Sequence, residues 1–270
     1  MAYEWIIDAL DETWSSLERL MRPQPDAAYQ RLTSCPGWNV QDVISHLVGF
    51  ELLLRGDAPP PHTALWPDYV RNPVGELNEA FVETYRALSG PEVLALFRRT
   101  ADESLTRLRS LDDESWERVG WSPEGERPYH RFMETRVLDS WIHLQDIRDA
   151  LLEPADDHGA GEEIVINRFE AALPYVIGKK MNAPQGLVLR LNLSGRLARS
   201  TVIEVTEGRA SIGGPDGPEA NLEITTPVAL FWRRAAGRIS ADAFLAASAT
   251  QVRGNVSVAQ VFAEALCIMI

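Results

Sequence analysis

Basic residues are in short supply in this chain of 270 residues. Only 26 Lys and Arg stand against 39 Asp and Glu, a formal net charge of −13 at pH 7. Nucleic acid is not expected as a partner, because its phosphates draw Lys and Arg. An anionic membrane surface is disfavoured for the same reason. A small anionic substrate is compatible, since one local arginine can bind a carboxylate inside an acidic protein. Long apolar runs are missing as well: no stretch approaches the roughly 18 residues that a membrane span needs. The opening segment MAYEWIIDALDETW is acidic and lacks the basic start of a signal peptide, so a cytoplasmic location is expected. Cysteine is scarce. Cys35 and Cys267 lie far apart with no C-x-x-C spacing, which argues against a disulfide framework. Both read as small buried apolar residues. Cys35 precedes Pro36-Gly37 at a helix start, which places it near a possible site, but it is not read as a nucleophile. Internal repeats are absent.

Apolar residues make up 45% and charged residues 24%, ordinary for a globular protein long enough for one large or two modest domains. The first half is helical. Trp5, Ile6, Leu10, Trp14, Leu17 and Met21 recur at mostly three- and four-residue intervals and predict a first helix. Asn39 is a good N-cap with Asp42 three residues on, and Val43, Leu47, Phe50 and Leu54 continue that helix to about Arg55. A Pro-rich loop, GDAPPPHTALWPDY, follows. Asn72-Pro73 opens a helix to about Leu88, Ser89-Gly90-Pro91 breaks it, and Glu92–Leu111 is periodic again. DDESWERVGWSPEGERP reads as irregular chain over the open end of a bundle. A last helix starts near Tyr129. This is a four-helix bundle over residues 1–153, with Pro154–Gly161 as a linker.

Residues 162–270 read differently. Glu162–Lys180 predicts a helix kinked at Pro174. Leu187–Leu193 predicts a strand, Thr201–Val205 and Arg209–Ile212 a hairpin around Thr206-Glu207-Gly208, and Asn221–Thr225 a further strand. Pro227–Arg234 and Val256–Ile270 read as helices. The expected class is α+β: a helical bundle followed by a smaller α+β domain with an antiparallel sheet.

The segment Arg136–Leu151, RVLDSWIHLQDIRDAL, carries the chemistry. Asp139 and His143 stand four apart, so on a helix they point the same way with Cβ atoms about 5–6 Å apart and can grip one divalent metal. His46, within CPGWNVQDVISHL, is a candidate third ligand. Two ligands on one helix and a third on another leave coordination positions open, as catalytic zinc sites do. Such a pair is also commonly a surface hydrogen bond, and His46 among Val43, Ile44, Leu47 and Phe50 also reads as a core histidine. Asp146 suits either the carboxylate that orients His143 through its free N–H or a salt bridge to Arg148. Asp42 suits the same orienting role toward His46, beside its capping role. Arg136, one turn before Asp139, could point into the same cavity, and His130 could line its mouth. His62 and His158 read as solvent-exposed.

Cys35-Pro36-Gly37-Trp38-Asn39-Val40-Gln41-Asp42-Val43-Ile44-Ser45-His46-Leu47, together with Arg136–Arg148 and its Trp141, His143, Asp146 and Arg148, resembles the mycothiol-dependent maleylpyruvate isomerase family, within the DinB-like metal-binding four-helix bundles. The resemblance implies a metal held at the positions of His46, Asp139 and His143, and a C-terminal domain related to sterol carrier proteins. The family commonly has Glu where this chain has Asp139, which is one methylene shorter, about 1.5 Å of reach. Metal affinity is the property this departure bears on.

The resemblance further implies mycothiol as the thiol cosubstrate of a transferase or isomerase acting on a small electrophile such as an unsaturated acid. Zinc is the expected metal, although mixed His and carboxylate ligands also hold nickel, manganese or iron. Trp38 and Trp141 adjoin the ligand motifs and are expected to wall the cavity with cofactor contacts. Trp5, Trp14 and Trp232 read as core aromatics. Arg136 could supply a cation for an anionic substrate, and Arg233, Arg234, Arg238 and Arg253 are further candidates, although surface solvation is the commoner role for any one of them. Two other functions use the same features: a metal-free module binding an apolar ligand, and metal-dependent hydrolysis with His130 or Glu134 as base. The chain is expected to act as a monomer or homodimer.

Overall fold

A computed structural model describes residues 2–62, 65–155, 158–214 and 217–269. Positions 63–64 of the expected Pro-rich loop, 156–157 of the expected linker and 270 at the end of the expected last helix lie outside the described residues. The chain forms two compact units, Met1–Glu162 and Glu163–Ile270, and its fold class is α+β.

The first unit contains α1 (Glu4–Met21), α2 (Asp26–Tyr29), α3 (Val40–Arg55), α4 (Pro73–Tyr85), α5 (Gly90–Arg109), α6 (Asp113–Glu117), β1 (Val119–Gly120), β2 (Arg127–Pro128) and α7 (Tyr129–Leu151). Helix α3 packs on α4, α5 and α7, and α1 packs on α5 and α7. The buried stripe of α1 is Ile6, Ile7, Leu10, Trp14, Leu17 and Met21, whereas Trp5 is 44% exposed and is not a core aromatic. Each such apolar side chain contributes about 1.5–3 kcal/mol by leaving water.

Helix α3 starts where its sequence says. The Asn39 side chain accepts from the Asp42 N–H at 2.9 Å, and the Asp42 carboxylate accepts from the Asn39 N–H at 3.1 Å. This reciprocal cap satisfies two donors that a helix start leaves orphaned. Arg86, just past α4, donates to the same Asp42 carboxylate through Nε at 2.9 Å and Nη2 at 3.1 Å. Ser89-Gly90-Pro91 does more than end a helix. Ser89 caps α5 with Glu92, so α5 begins two residues earlier than expected. The stretch read as irregular holds α6 and the two-residue ribbon β1–β2.

Beyond the bundle, α8 (Gly159–Tyr175) begins inside the segment read as linker. Pro174 lies in its last turn, and a π-helical turn, Val176–Lys180, follows in place of a continued helix. The second unit then contains β3 (Val188–Ser194), β4 (Arg199–Thr206), β5 (Arg209–Ile212), β6 (Leu222–Pro227), α9 (Val228–Ala235), α10 (Ala241–Ala246), β7 (Gln251–Gly254) and α11 (Val256–Ala265). The sheet order is β5-β4-β3-β6-β7. Its pairings are antiparallel except β3 with β6, which run parallel, so the sheet is mixed. The β4–β5 hairpin turns on Glu207 and Gly208 at φ +51° and +71°, the left-handed pair that matches strand twist. Alternation buries Leu189, Leu191 and Leu193 on one face of β3. Helix α10 and strand β7 were not expected, and α11 stops at Ala265 because Ile268 leaves it to bond the Ala235 carbonyl at 2.7 Å.

Candidate metal centre

The facing sides of α3 and α7 bring His46, Asp139 and His143 together. Asp139 Oδ1 lies 3.5 Å from His46 Nε2 and 3.5 Å from His143 Nε2. A tetrahedral ion bound at about 2.0–2.2 Å to each of two imidazole nitrogens and one carboxylate oxygen spaces those atoms about 3.4 Å apart. The shorter Asp therefore reaches: one carboxylate oxygen is equidistant from both rings at ligand spacing. All three groups offer ligand atoms within 4.8 Å of one another. The imidazoles are buried, at 3% and 6% exposure, and the Asp139 side chain, at 21%, is the group that meets solvent. His46 Nδ1 is buried with no hydrogen-bond partner among the described residues. The backbone bond that would mark a purely structural core histidine is not made.

Other side chains surround this trio and fix its geometry. Arg136 donates from Nη1 to Asp139 Oδ2 at 2.5 Å and from Nε and Nη2 to Glu51 Oε1 at 3.1 and 3.0 Å. It pins Oδ2 of Asp139, which also lies 3.2 Å from His46 Nε2, while Oδ1 lies between the two rings. Asp146 Oδ2 meets His143 Nδ1 at 3.0 Å and fixes which nitrogen faces Asp139. Cys35 Sγ lies 3.4 Å from that same Asp146 oxygen. The Trp38 ring lies 5.3 Å from the His46 ring, held by its Nε1–H donating to Glu79 at 2.8 Å, and Phe50 approaches His46 edge-on at 6.1 Å.

Charge follows from this packing. Burial pushes His46 below the ordinary imidazole value, with Asp139 opposing it. Burial alone would raise Asp139, but His46, Arg136 and His143 outweigh it and hold the carboxyl well below the usual range. For His143 burial is outweighed in the other direction, chiefly by Asp139, and its proton is held well above the ordinary value.

The family model for the mycothiol maleylpyruvate isomerase N-terminal domain matches residues 10–148, which is more than half of the chain and includes all three candidate ligands. The chain belongs to that family. Two crystal structures of the mycothiol-dependent maleylpyruvate isomerase, one of them of a mutant, share the fold at TM-scores of 0.61 and 0.59. Each is 15% identical and matches over 93% of both chains. A sterol carrier protein 2 from Yarrowia lipolytica matches 38% of the chain at a TM-score of 0.30, which carries no inference for the second unit. No curated protein matches in sequence.

Within this family member, several residues expected at the site stand elsewhere. Arg136 is 2% exposed with its donors spent on Glu51 and Asp139, so it anchors the site and is not an open cation for a substrate carboxylate. His130 stacks on Tyr3 with ring centroids 5.1 Å apart, and lies nine residues, about 13 Å of helix rise, from Asp139. Trp141 sits about 200° around α7 from Asp139 and lines a cleft with Thr13, Ser16 and Leu144 on the α1 side. Asp42 serves the α3 cap and Arg86 rather than His46. Arg148 reaches Ser16 on α1 and the Pro154 carbonyl. His62 is not solvent-exposed: it stacks on Trp66 at 3.5 Å and pairs with Glu83.

The arginines of the second unit are engaged locally. Arg234 donates to the carbonyls of Ala263, Ile239 and Glu264, Arg233 lies over the Trp232 ring, Arg253 approaches Glu223 at 3.8 Å and Arg238 bonds the Ala236 carbonyl at 2.8 Å. Glu51 and Glu79 went unnoticed in the sequence. Their signal was a lone carboxylate inside an apolar run, FELLL, and inside the buried stripe of α4.

Proposed function

We propose that this chain is a metal-dependent thiol transferase or isomerase with mycothiol as cosubstrate and a small electrophilic, unsaturated acid as substrate. The observation that carries the reading is Asp139 Oδ1 at 3.5 Å from both facing imidazole nitrogens, in a chain of this family. His46 Nε2, Asp139 Oδ1 and His143 Nε2 would hold the ion, for which zinc is the metal proposed. A divalent ion with an open position lowers the pKa of an incoming thiol from about 8.5 and supplies the thiolate at neutral pH.

The protein's own groups do the rest. Arg136 helps keep Asp139 ionised and fixes its carboxylate by holding Oδ2, and Asp146 keeps His143 presenting Nε2. Trp38 and Phe50 wall the rings with apolar surface, which strengthens every charge interaction inside. Addition of the thiol across an activated double bond, rotation about the resulting single bond and loss of the thiol give isomerisation; retention of the thiol gives transfer. Hydrolysis is less well served, since the two candidate bases are engaged: His130 on Tyr3 and Glu134 with Arg131.

The test is elemental analysis of purified protein beside His143→Ala, then thiol consumption with unsaturated acids. The reading expects bound divalent metal in the wild type, loss of it in the variant, and thiol-dependent turnover lost with it. Metal content unchanged in His143→Ala removes that residue from the site.

A further inference from the structure

The second ring nitrogen of His143 faces a second set of donors. Nδ1 lies 3.0 Å from Asp146 Oδ2 and 3.8 Å from Cys35 Sγ, and Sγ lies 3.4 Å from the same oxygen. A tetrahedral ion with bonds of about 2.0–2.2 Å to nitrogen and oxygen and about 2.3 Å to sulfur spaces its ligand atoms about 3.4–3.6 Å apart. The three edges bracket that range, so the atoms need to shift by only a few tenths of an ångström. The groups are built in place. Asp146 is 1% exposed.

Cys35 sits on a closed turn. Trp38 N–H donates to its carbonyl at 3.1 Å, its own N–H donates to Thr33 Oγ1 at 3.2 Å, and Leu32 and Asn39 pair as a bridge across the base. Gly37 completes the turn at φ +76°, with the Tyr69 ring where a side chain would be.

We propose that Cys35 Sγ, His143 Nδ1 and Asp146 Oδ2 form a second cation site, separate from the His46–Asp139–His143 centre and sharing only the His143 ring with it. Its thiolate donor selects thiophilic ions such as zinc, cadmium or cobalt over magnesium or calcium. Binding releases the Cys35 thiol proton and the His143 Nδ1 proton to solvent, and converts Asp146 from hydrogen-bond acceptor to ligand. When both sites are filled the ring bridges the two ions as an imidazolate. Cys35 thereby ties the turn before α3 to α7.

The experiment is a cobalt(II) titration of the chelator-treated full chain, with a phosphine reductant so that the protein is the only thiol present. A near-ultraviolet thiolate-to-cobalt band is expected in the wild type. It is expected to vanish in Cys35→Ser and to persist in Asp139→Asn and Cys267→Ser. As a second measurement, cadmium is expected to slow labelling of Cys35 by a thiol reagent at least tenfold in the wild type but not in Asp146→Ala. The proposal is overturned by a folded wild type without the band at saturating cobalt, by a band that survives Cys35→Ser, or by a band that Asp139→Asn removes. Thiol turnover of the wild type tests the functional reading and is a separate readout, so the failure of one is distinguishable from the failure of the other.

Discussion

Asp146 Oδ2 stands 3.0 Å from His143 Nδ1, the nitrogen that does not face Asp139. A carboxylate in that position sets the orientation and basicity of a ligating imidazole. Asp146→Asn, made in a Cys35→Ser background to isolate the first centre, is expected to weaken zinc binding about 10- to 100-fold. Competition against a chromogenic chelator reads this directly. Equal affinity in the two proteins would leave Asp146 without an orienting role.

Proton release follows from the same ring. His143 holds its proton more tightly than a free imidazole because Asp139 outweighs the effect of burial. A cation must displace that proton before Nε2 can ligate. Affinity therefore rises with pH up to the raised value, and falls as the medium becomes acidic. Calorimetry in buffers of different protonation enthalpy is expected to show net proton release on zinc uptake near neutral pH. Affinity that is flat from about pH 6 to 8 would contradict the assignment.

Glu51 and Arg136 are 3% and 2% exposed and pair at 3.0 Å. Removing one partner of a buried pair strands the other charge. Glu51→Ala is expected to cost about 3–5 kcal/mol of stability in chemical denaturation. A loss under about 1 kcal/mol would show that Asp139 alone satisfies the guanidinium.

Gly37 holds φ +76° with Tyr69 ring atoms 2.3 Å from the position a Cβ would take. Gly37→Ala is expected to destabilise by about 1–3 kcal/mol through backbone strain alone, with the clash added. Because the turn also carries Cys35 and Trp38, tryptophan fluorescence is expected to shift alongside.

Much of this centre could be read from residue spacing. The Asn39–Asp42 cap and the Asp139–His143 pair are local patterns, and the helices they specify carry the three side chains to one place. Rotation of about 100° per residue also shows why two candidates fell away. His130 and Trp141 lie about 180° and 200° around α7 from Asp139, while Asp146 returns to within about 20° of it.

What spacing does not reveal is pairing across helices. That Arg136 spends itself on Glu51, or that Glu79 gathers Trp38, Tyr69 and Arg86, depends on which faces meet. Helix α10 and strand β7, six and four residues long, are too short to display a period. The parallel pairing of β3 and β6 is invisible in alternation, which reports burial and not direction.

The reciprocal cap at Asn39 and Asp42 has a consequence for how this gene can drift in length. It clamps the first turn of α3, and Arg86 clamps it again from the far side of α4. A single residue gained or lost between Asn39 and His46 would swing the imidazole by about 100°, with no slack upstream to absorb the turn. Indels in that short span should be purged.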